Sequence, residues 1–148
     1  MLIGWLALSF CAAAIAGLFV PGEWYAGLKK PSWNPPDWVF GPVWTALYTL
    51  MAIAAWLAWK RGGWAGQRTA LTVFLVQLLF NILWSPLFFG MKDPVLAFVD
   101  ITLLWLALLV AVVAFWRARP LAGALLVPYL AWVTFACALN FTLWRLNP

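Results

Sequence analysis

Few side chains in this 148-residue sequence could do covalent or acid–base chemistry. There is no His, and there are only two Cys (Cys11 and Cys137) and four carboxylates (Glu23, Asp37, Asp93 and Asp100). Without imidazole or clustered Cys and carboxylates, no metal site is expected. A general acid–base enzyme would be hard to build. No Ser sits beside a base, and the scattered Gly make turns rather than a phosphate cradle. The abundant functional group is indole, from thirteen Trp. An indole offers a flat apolar face and one N–H donor, which is the chemistry of binding rather than turnover. Segment 31–44, PSWNPPDWVFGPVW, concentrates three Trp, one Phe and four Pro. It reads as a stiff apolar cover over a site for a flat, greasy molecule. Phosphate and metal play no part in it, and no cofactor is required.

The elements that must position these groups follow from composition. The chain is 67% hydrophobic and 9% charged, where a soluble domain carries about 25% charged residues. That predicts an integral, multi-pass membrane protein of one domain, residues 1–148. Five apolar runs (2–20, 40–59, 69–89, 94–116 and 121–144) are each near the ~20 residues that cross a bilayer. In lipid their backbone must be helical. The fold class expected is therefore all-α: a bundle of five transmembrane helices with a long structured loop between helices 1 and 2. Short Gly- and Pro-marked turns at 60–68, 90–94 and 117–120 force the later helices to run up and down. The first connection, 21–39, is long for a compact fold and too aromatic for disorder. The net charge of +5 comes as single or paired Lys and Arg at run ends, which is topology information and anionic-lipid contact, so no nucleic-acid partner is expected. Those residues divide five against four between the two sides, too evenly to fix orientation. No Lys or Arg precedes the first run, which is longer than a signal-peptide core, so it reads as a span. Cys11 and Cys137 lie inside runs and read as small buried hydrophobes.

Polar residues inside the runs fall on stripes. Gln77, Asn81 and Ser85 recur every four residues, flanked by Trp84 and Phe88. Trp44, Tyr48, Met51 and Ala55 share one face of the second run, and Trp132, Ala136 and Asn140 one face of the fifth. The economical arrangement turns all three stripes to a common interior. They then either bond helix to helix or line a ligand cavity, and the cover favours the cavity. Asp100 is the sole carboxylate within a run, under two turns from Pro94. Its depth suggests an interfacial acid reaching water, with a proton relay as the minor alternative.

These residues resemble the TspO/MBR family, the tryptophan-rich sensory proteins whose animal member is the mitochondrial translocator protein, or peripheral benzodiazepine receptor. The matching pieces are Trp24-Tyr25, the Lys30-Pro31-Ser32-Trp33-Asn34-Pro35-Pro36 loop, and Phe40 with Pro42 and Trp44. Further along they are Asn81 with Trp84, then Pro128-Tyr129-Leu130-Ala131-Trp132, Ala136, Leu139-Asn140 and Trp144-Arg145. The likeness covers essentially the whole chain. It implies a five-helix bundle, a homodimer, and a pocket under the first loop for porphyrins, haem precursors, sterols and synthetic aromatic ligands. By that likeness Trp44 and Trp132 are the paired indoles facing the ligand, and Tyr25, Pro35, Asn81 and Ala136 complete the wall. The stripes add Tyr48, Trp84 and Asn140.

Three functions are therefore expected in order: a membrane receptor or sensor for tetrapyrroles, a translocator of porphyrin or lipid, and a light-dependent porphyrin-degrading enzyme. No catalytic residue is assigned otherwise; the last role would fall on Trp132 through the resemblance. The expected location is a bacterial cell membrane. The family's C-terminal sterol pattern is broken here, since Phe141 stands where Tyr is required, so no dedicated sterol site is expected. The small-residue spacings Ala12/Ala16 and Ala13/Gly17 would serve either packing within the bundle or a dimer seam.

Overall fold

The computed structural model describes residues 2–19 and 21–148. Among the described residues the chain is helical, without strands. The elements are α1 (Leu2–Ala16), α2 (Glu23–Ala26), α3 (Asp37–Trp59), α4 (Gly63–Gly66), α5 (Arg68–Ser85), α6 (Pro94–Ala118) and α7 (Pro120–Leu146). A π-helical turn, Pro86–Gly90, extends α5. Four of these helices are long and apolar enough to cross a membrane: α3, α5 with its π turn, α6 and α7. At 15 residues, α1 is about 22 Å long, short of a ~30 Å hydrocarbon core.

The helix ends differ from expectation for local reasons. The first run was expected to reach 20, but α1 stops at Ala16, before Gly17 and two tight turns, Leu18 N–H to Ile15 C=O and Phe19 N–H to Ala16 C=O. Val20 lies outside the described residues. α3 begins earlier, at Asp37, because Pro36 is extended (φ −60°, ψ 147°) and an acid in the first turn suits the helix dipole. Pro42 lies inside it and cannot donate to the Trp38 carbonyl. In α5 the regular ladder ends at Ser85 because Pro86 has no N–H. The wider turn that follows is closed by Met91 N–H to Pro86 C=O at 2.8 Å. α6 starts on an Asp93 cap, whose side chain accepts from the Leu96 N–H at 3.0 Å, with Pro94 in the first turn.

The core is built from stripes. α1 buries Trp5, Ser9 and Ala12 against α3 and α5. Trp5 meets Trp59 and Phe74 edge-on, with centroids 6.1 and 5.7 Å apart, and Phe74 stacks on Phe115 at 6.0 Å. α6 and α7 are joined through one extended residue, Arg119. There Gly123 lies so close to α6 that a Cβ would sit 2.7 Å from Trp116 Cα. Cys11 is exposed, which corrects the expectation of a buried thiol: it faces away from the Trp5–Ser9–Ala12 stripe.

A Gly123→Ala substitution is therefore expected to cost about 1–3 kcal/mol by forcing backbone apart. Gly41→Ala, where a Cβ meets nothing within 4 Å, is expected to be neutral or to stabilise the helix by up to ~1 kcal/mol. Thermal unfolding of both variants in detergent checks the contrast.

Candidate functional site

At the end of the bundle where α1 and α7 finish and α3 and α6 begin, the stripes enclose a cavity of about 580 Å3. Its floor is polar. The Tyr48 hydroxyl donates to Asn81 Oδ1. Asn81 Nδ2 donates to the Tyr129 hydroxyl at 2.7 Å, and that hydroxyl donates to Gln77 Oε1 at 2.8 Å. Gln77 Nε2 ends the chain at Met51 Sδ, 3.8 Å away. Three helices (α3, α5 and α7) are thus tied by a run of bonds that all point one way. A second bridge joins α5, α7 and α6: Trp84 Nε1–H to Asn140 Oδ1 at 2.9 Å, then Asn140 Nδ2 to the Pro94 carbonyl at 2.9 Å. The polar stripes divide: Gln77 is consumed in bonding helices, while Asn81, Trp84 and Asn140 bond helices and also border the cavity.

The walls are aromatic. Trp44 and Trp132 meet edge-to-face with centroids 6.5 Å apart and planes at 89°. Phe40 and Phe135 pack on Trp132 at 6.0 and 5.5 Å. At the other side Phe88, turned inward by the π turn, stacks on Trp84 at 4.9 Å. Of the residues expected at the site, Tyr25, Trp44, Tyr48, Asn81, Trp84, Trp132, Ala136 and Asn140 all border this cavity. Pro35 does not; it borders a neighbouring depression, because a turn closed by Asn34 N–H to Pro31 C=O and the extended Pro36 carry 34–36 past the mouth.

The cover is only partly a lid. Trp33 packs edge-on against Phe135 at 5.6 Å, whereas Trp38 is 74% exposed and covers nothing. The segment is tied down elsewhere. Asn147, just past α7, accepts from the Lys29 N–H and donates to the Lys29 carbonyl, both at 2.9 Å. Lys30 Nζ reaches the Tyr25, Ala26 and Leu28 carbonyls at 2.7, 3.4 and 3.4 Å. Burial raises the Tyr25 phenol above its ordinary pKa of 10.0, the nearby Asn34 amide pulls it back, and the Asp37 charge raises it further. The phenol therefore stays protonated at neutral pH and presents a donor at the mouth.

Four residues behave differently from expectation or were not foreseen. Asp100 is 5% exposed, with Oδ2 lacking a protein partner, against the expectation of an acid open to the interface. The face it occupies decides this, not its depth: Ala97 and Leu104, one turn either side, are equally buried. Tyr129, the hub of the floor, was not among the expected site residues, although it lies three positions before Trp132 on one helix face. Phe10 and Phe19 also border the cavity, and as apolar residues among apolar residues they carried no signal.

A model of the TspO/MBR family matches residues 5–145. The chain belongs to the TspO/MBR family. It is similar to the tryptophan-rich protein TspO of Chlorobaculum tepidum, 48% identical over 132 residues that cover 86% of this chain and 82% of that one. The tryptophan-rich sensory protein of Cereibacter sphaeroides is 44% identical over 147 residues, 99% and 91% of the two chains. The human translocator protein is 44% identical over 138 residues, 90% and 82%. With four spans and bacterial relatives at this identity, the chain is a multi-pass bacterial membrane protein. The family resemblance read from the loop and helix motifs is thus correct.

The polar floor is expected to hold the helices together as well as border the cavity. Asn81→Leu strands the Tyr48 hydroxyl and removes one of the Tyr129 hydroxyl's two bonds, and should cost about 1–3 kcal/mol. Tyr48→Phe strands one amide oxygen at the cavity wall and should cost less. Midpoints of thermal unfolding without ligand give the order.

Proposed function

We propose that this protein is a membrane receptor or sensor that binds tetrapyrroles (porphyrin or haem precursors) and related flat hydrophobic molecules in the aromatic cavity beneath the first loop. The observation that carries this reading is the cavity itself. Its volume of about 580 Å3 falls within the roughly 300–1,000 Å3 typical of small-molecule sites. Two perpendicular indoles, Trp44 and Trp132, supply one face to stack on and one edge to abut a conjugated ring. The uncharged floor of Tyr48 and Asn81 supplies a few fixed polar groups for orientation. Binding of this kind needs no metal and no further cofactor.

The same proposal includes α1 as a fifth membrane crossing, since its inner face packs on α3 and α5 and the turns at 17–19 lengthen it. It includes the homodimer that the family likeness implies. Of the small residues of α1, Ala12 is buried, and Ala13, Ala16 and Gly17 border the cavity.

Titration of detergent-purified protein with protoporphyrin IX, followed by Trp fluorescence quenching, tests the reading. Saturable binding is expected, weakened about tenfold or more in Trp44→Phe or Trp132→Phe, a loss of about 1.4 kcal/mol. Equal affinity in all three proteins would mean that porphyrin only partitions into the micelle, and would remove the pocket assignment.

A further inference from the structure

The even division of Lys and Arg between the two ends of the bundle hides an uneven division of charge. α3 runs out into Lys60 and Arg61, α5 opens on Arg68, α6 ends just past Arg117, and Arg119 joins α6 to α7. The ring pairs Trp5–Trp59, Trp5–Phe74 and Phe74–Phe115, with centroids 6.1, 5.7 and 6.0 Å apart, hold those helix ends together. The five cations therefore rim one end of the bundle. No carboxylate shares that end. Asp37 opens α3 and Asp93 caps α6, each a whole helix away, and Glu23 lies in the first loop. Asp100 stands seventeen residues before Arg117, about 25 Å along the helix.

The other four cations, Lys29, Lys30, Lys92 and Arg145, are offset in number by the four carboxylates, so the rim equals the net charge of the whole chain, +5. Lys30 is moreover already met by the Tyr25, Ala26 and Leu28 carbonyls. We propose that the rim docks the headgroups of one membrane leaflet and binds acidic phospholipids in preference to zwitterionic ones, independently of what the aromatic cavity holds.

Depth and charge both point to lipid. Each rim cation lies within a helix that spans or no more than two residues beyond it. Trp64 and Trp116, 41% and 49% exposed, stand among them, and exposed indoles beside cations mark the level of the headgroups. Lys60 Nζ lies 4.5 Å from the Trp56 ring centroid, which keeps that ammonium against the helix. Lys60, Arg61, Arg68 and Arg117 are exposed. Like charges gathered in this way repel one another until an outside anion offsets them, and at this depth the anion at hand is a lipid phosphate. A soluble polyanion would need cations that project beyond the membrane.

The test reconstitutes the whole protein in phosphatidylcholine bilayers with a trace of spin-labelled phosphatidylglycerol or spin-labelled phosphatidylcholine. Electron spin resonance gives the fraction of each label held at the protein, and from it the association constant of the acidic lipid relative to the zwitterionic one. Wild type should prefer phosphatidylglycerol about threefold or more in about 0.01 M salt. It should lose most of that preference in about 1 M salt, as the screening length falls from about 30 Å to about 3 Å. Arg61→Gln/Arg68→Gln/Arg117→Gln should bring the ratio close to one. Lys29→Gln/Lys92→Gln/Arg145→Gln removes as much charge from the opposite end and should leave the ratio near that of wild type. Equal losses in the two triple variants would mean that net charge, rather than the rim, selects the lipid, and would overturn the proposal. So would a wild-type ratio of one, or a preference that survives in the first variant. If the first triple variant does not fold, as judged by its thermal midpoint, Arg117→Gln and Lys92→Gln, each at an exposed position, are compared instead. A lower ratio is then expected for Arg117→Gln alone, and equal ratios would overturn the proposal.

Discussion

A hydroxyl or amide inside a bilayer has no water to turn to, so it must find a partner in the protein. Where α3, α5 and α7 converge, Tyr48, Asn81, Tyr129 and Gln77 satisfy one another in a single directed chain. That chain fixes the rotation of all three helices at once. Trp44 lies one turn from Tyr48, and Trp132 one turn from Tyr129, so both indoles are aimed by the same bonds. The edge-to-face pair that walls the cavity is a consequence of the floor beneath it. The aromatic residues could not be placed so reproducibly by lipid-like packing alone, because tails and apolar side chains attract one another almost equally.

The two ends of the bundle are built differently. Towards the α6–α7 turn the interior is closed by Trp5, Trp59, Phe74 and Phe115 and by the contact of Gly123 with Trp116. Towards the first loop, α1 ends early, α5 widens into a π turn, and the helices no longer fill the space between them. The cavity occupies that space. The loop over it is held by backbone contacts from Lys30 and Asn147 rather than by a continuous aromatic seal. One end supplies stability and the other supplies room, which suits the proposed task of holding a ligand.

Much of this was legible in the sequence because polar residues stand out against an apolar background. Asn81, Tyr48 and Asn140 each recur at helical spacing within a run of hydrocarbon side chains, and stripes of that kind point inward. The four longest helices were legible from length alone. What the sequence did not reveal has physical reasons. Phe10, Phe19 and Phe135 enter the site as hydrophobic residues among hydrophobic residues. Two prolines carried no readable signal: Pro42 sits inside α3, and Pro86 opens a π turn that no spacing rule foresees. Asp100 was judged by its depth, whereas its face buries it. Pro35, placed by family likeness on the cavity wall, lies instead at the depression next to it.

The central claim is that the ligand occupies the space above the Tyr48–Asn81–Tyr129 floor. Filling that space from within tests it most directly. Ala136 borders the cavity on α7, and Ala136→Phe would place a ring where the ligand is held to sit. Protoporphyrin IX binding by absorbance in nanodiscs, alongside the thermal midpoint of each protein, is the measurement. The account predicts a variant that unfolds at the wild-type temperature or above and binds at least about tenfold more weakly. A folded variant that binds the porphyrin as tightly as wild type would contradict it.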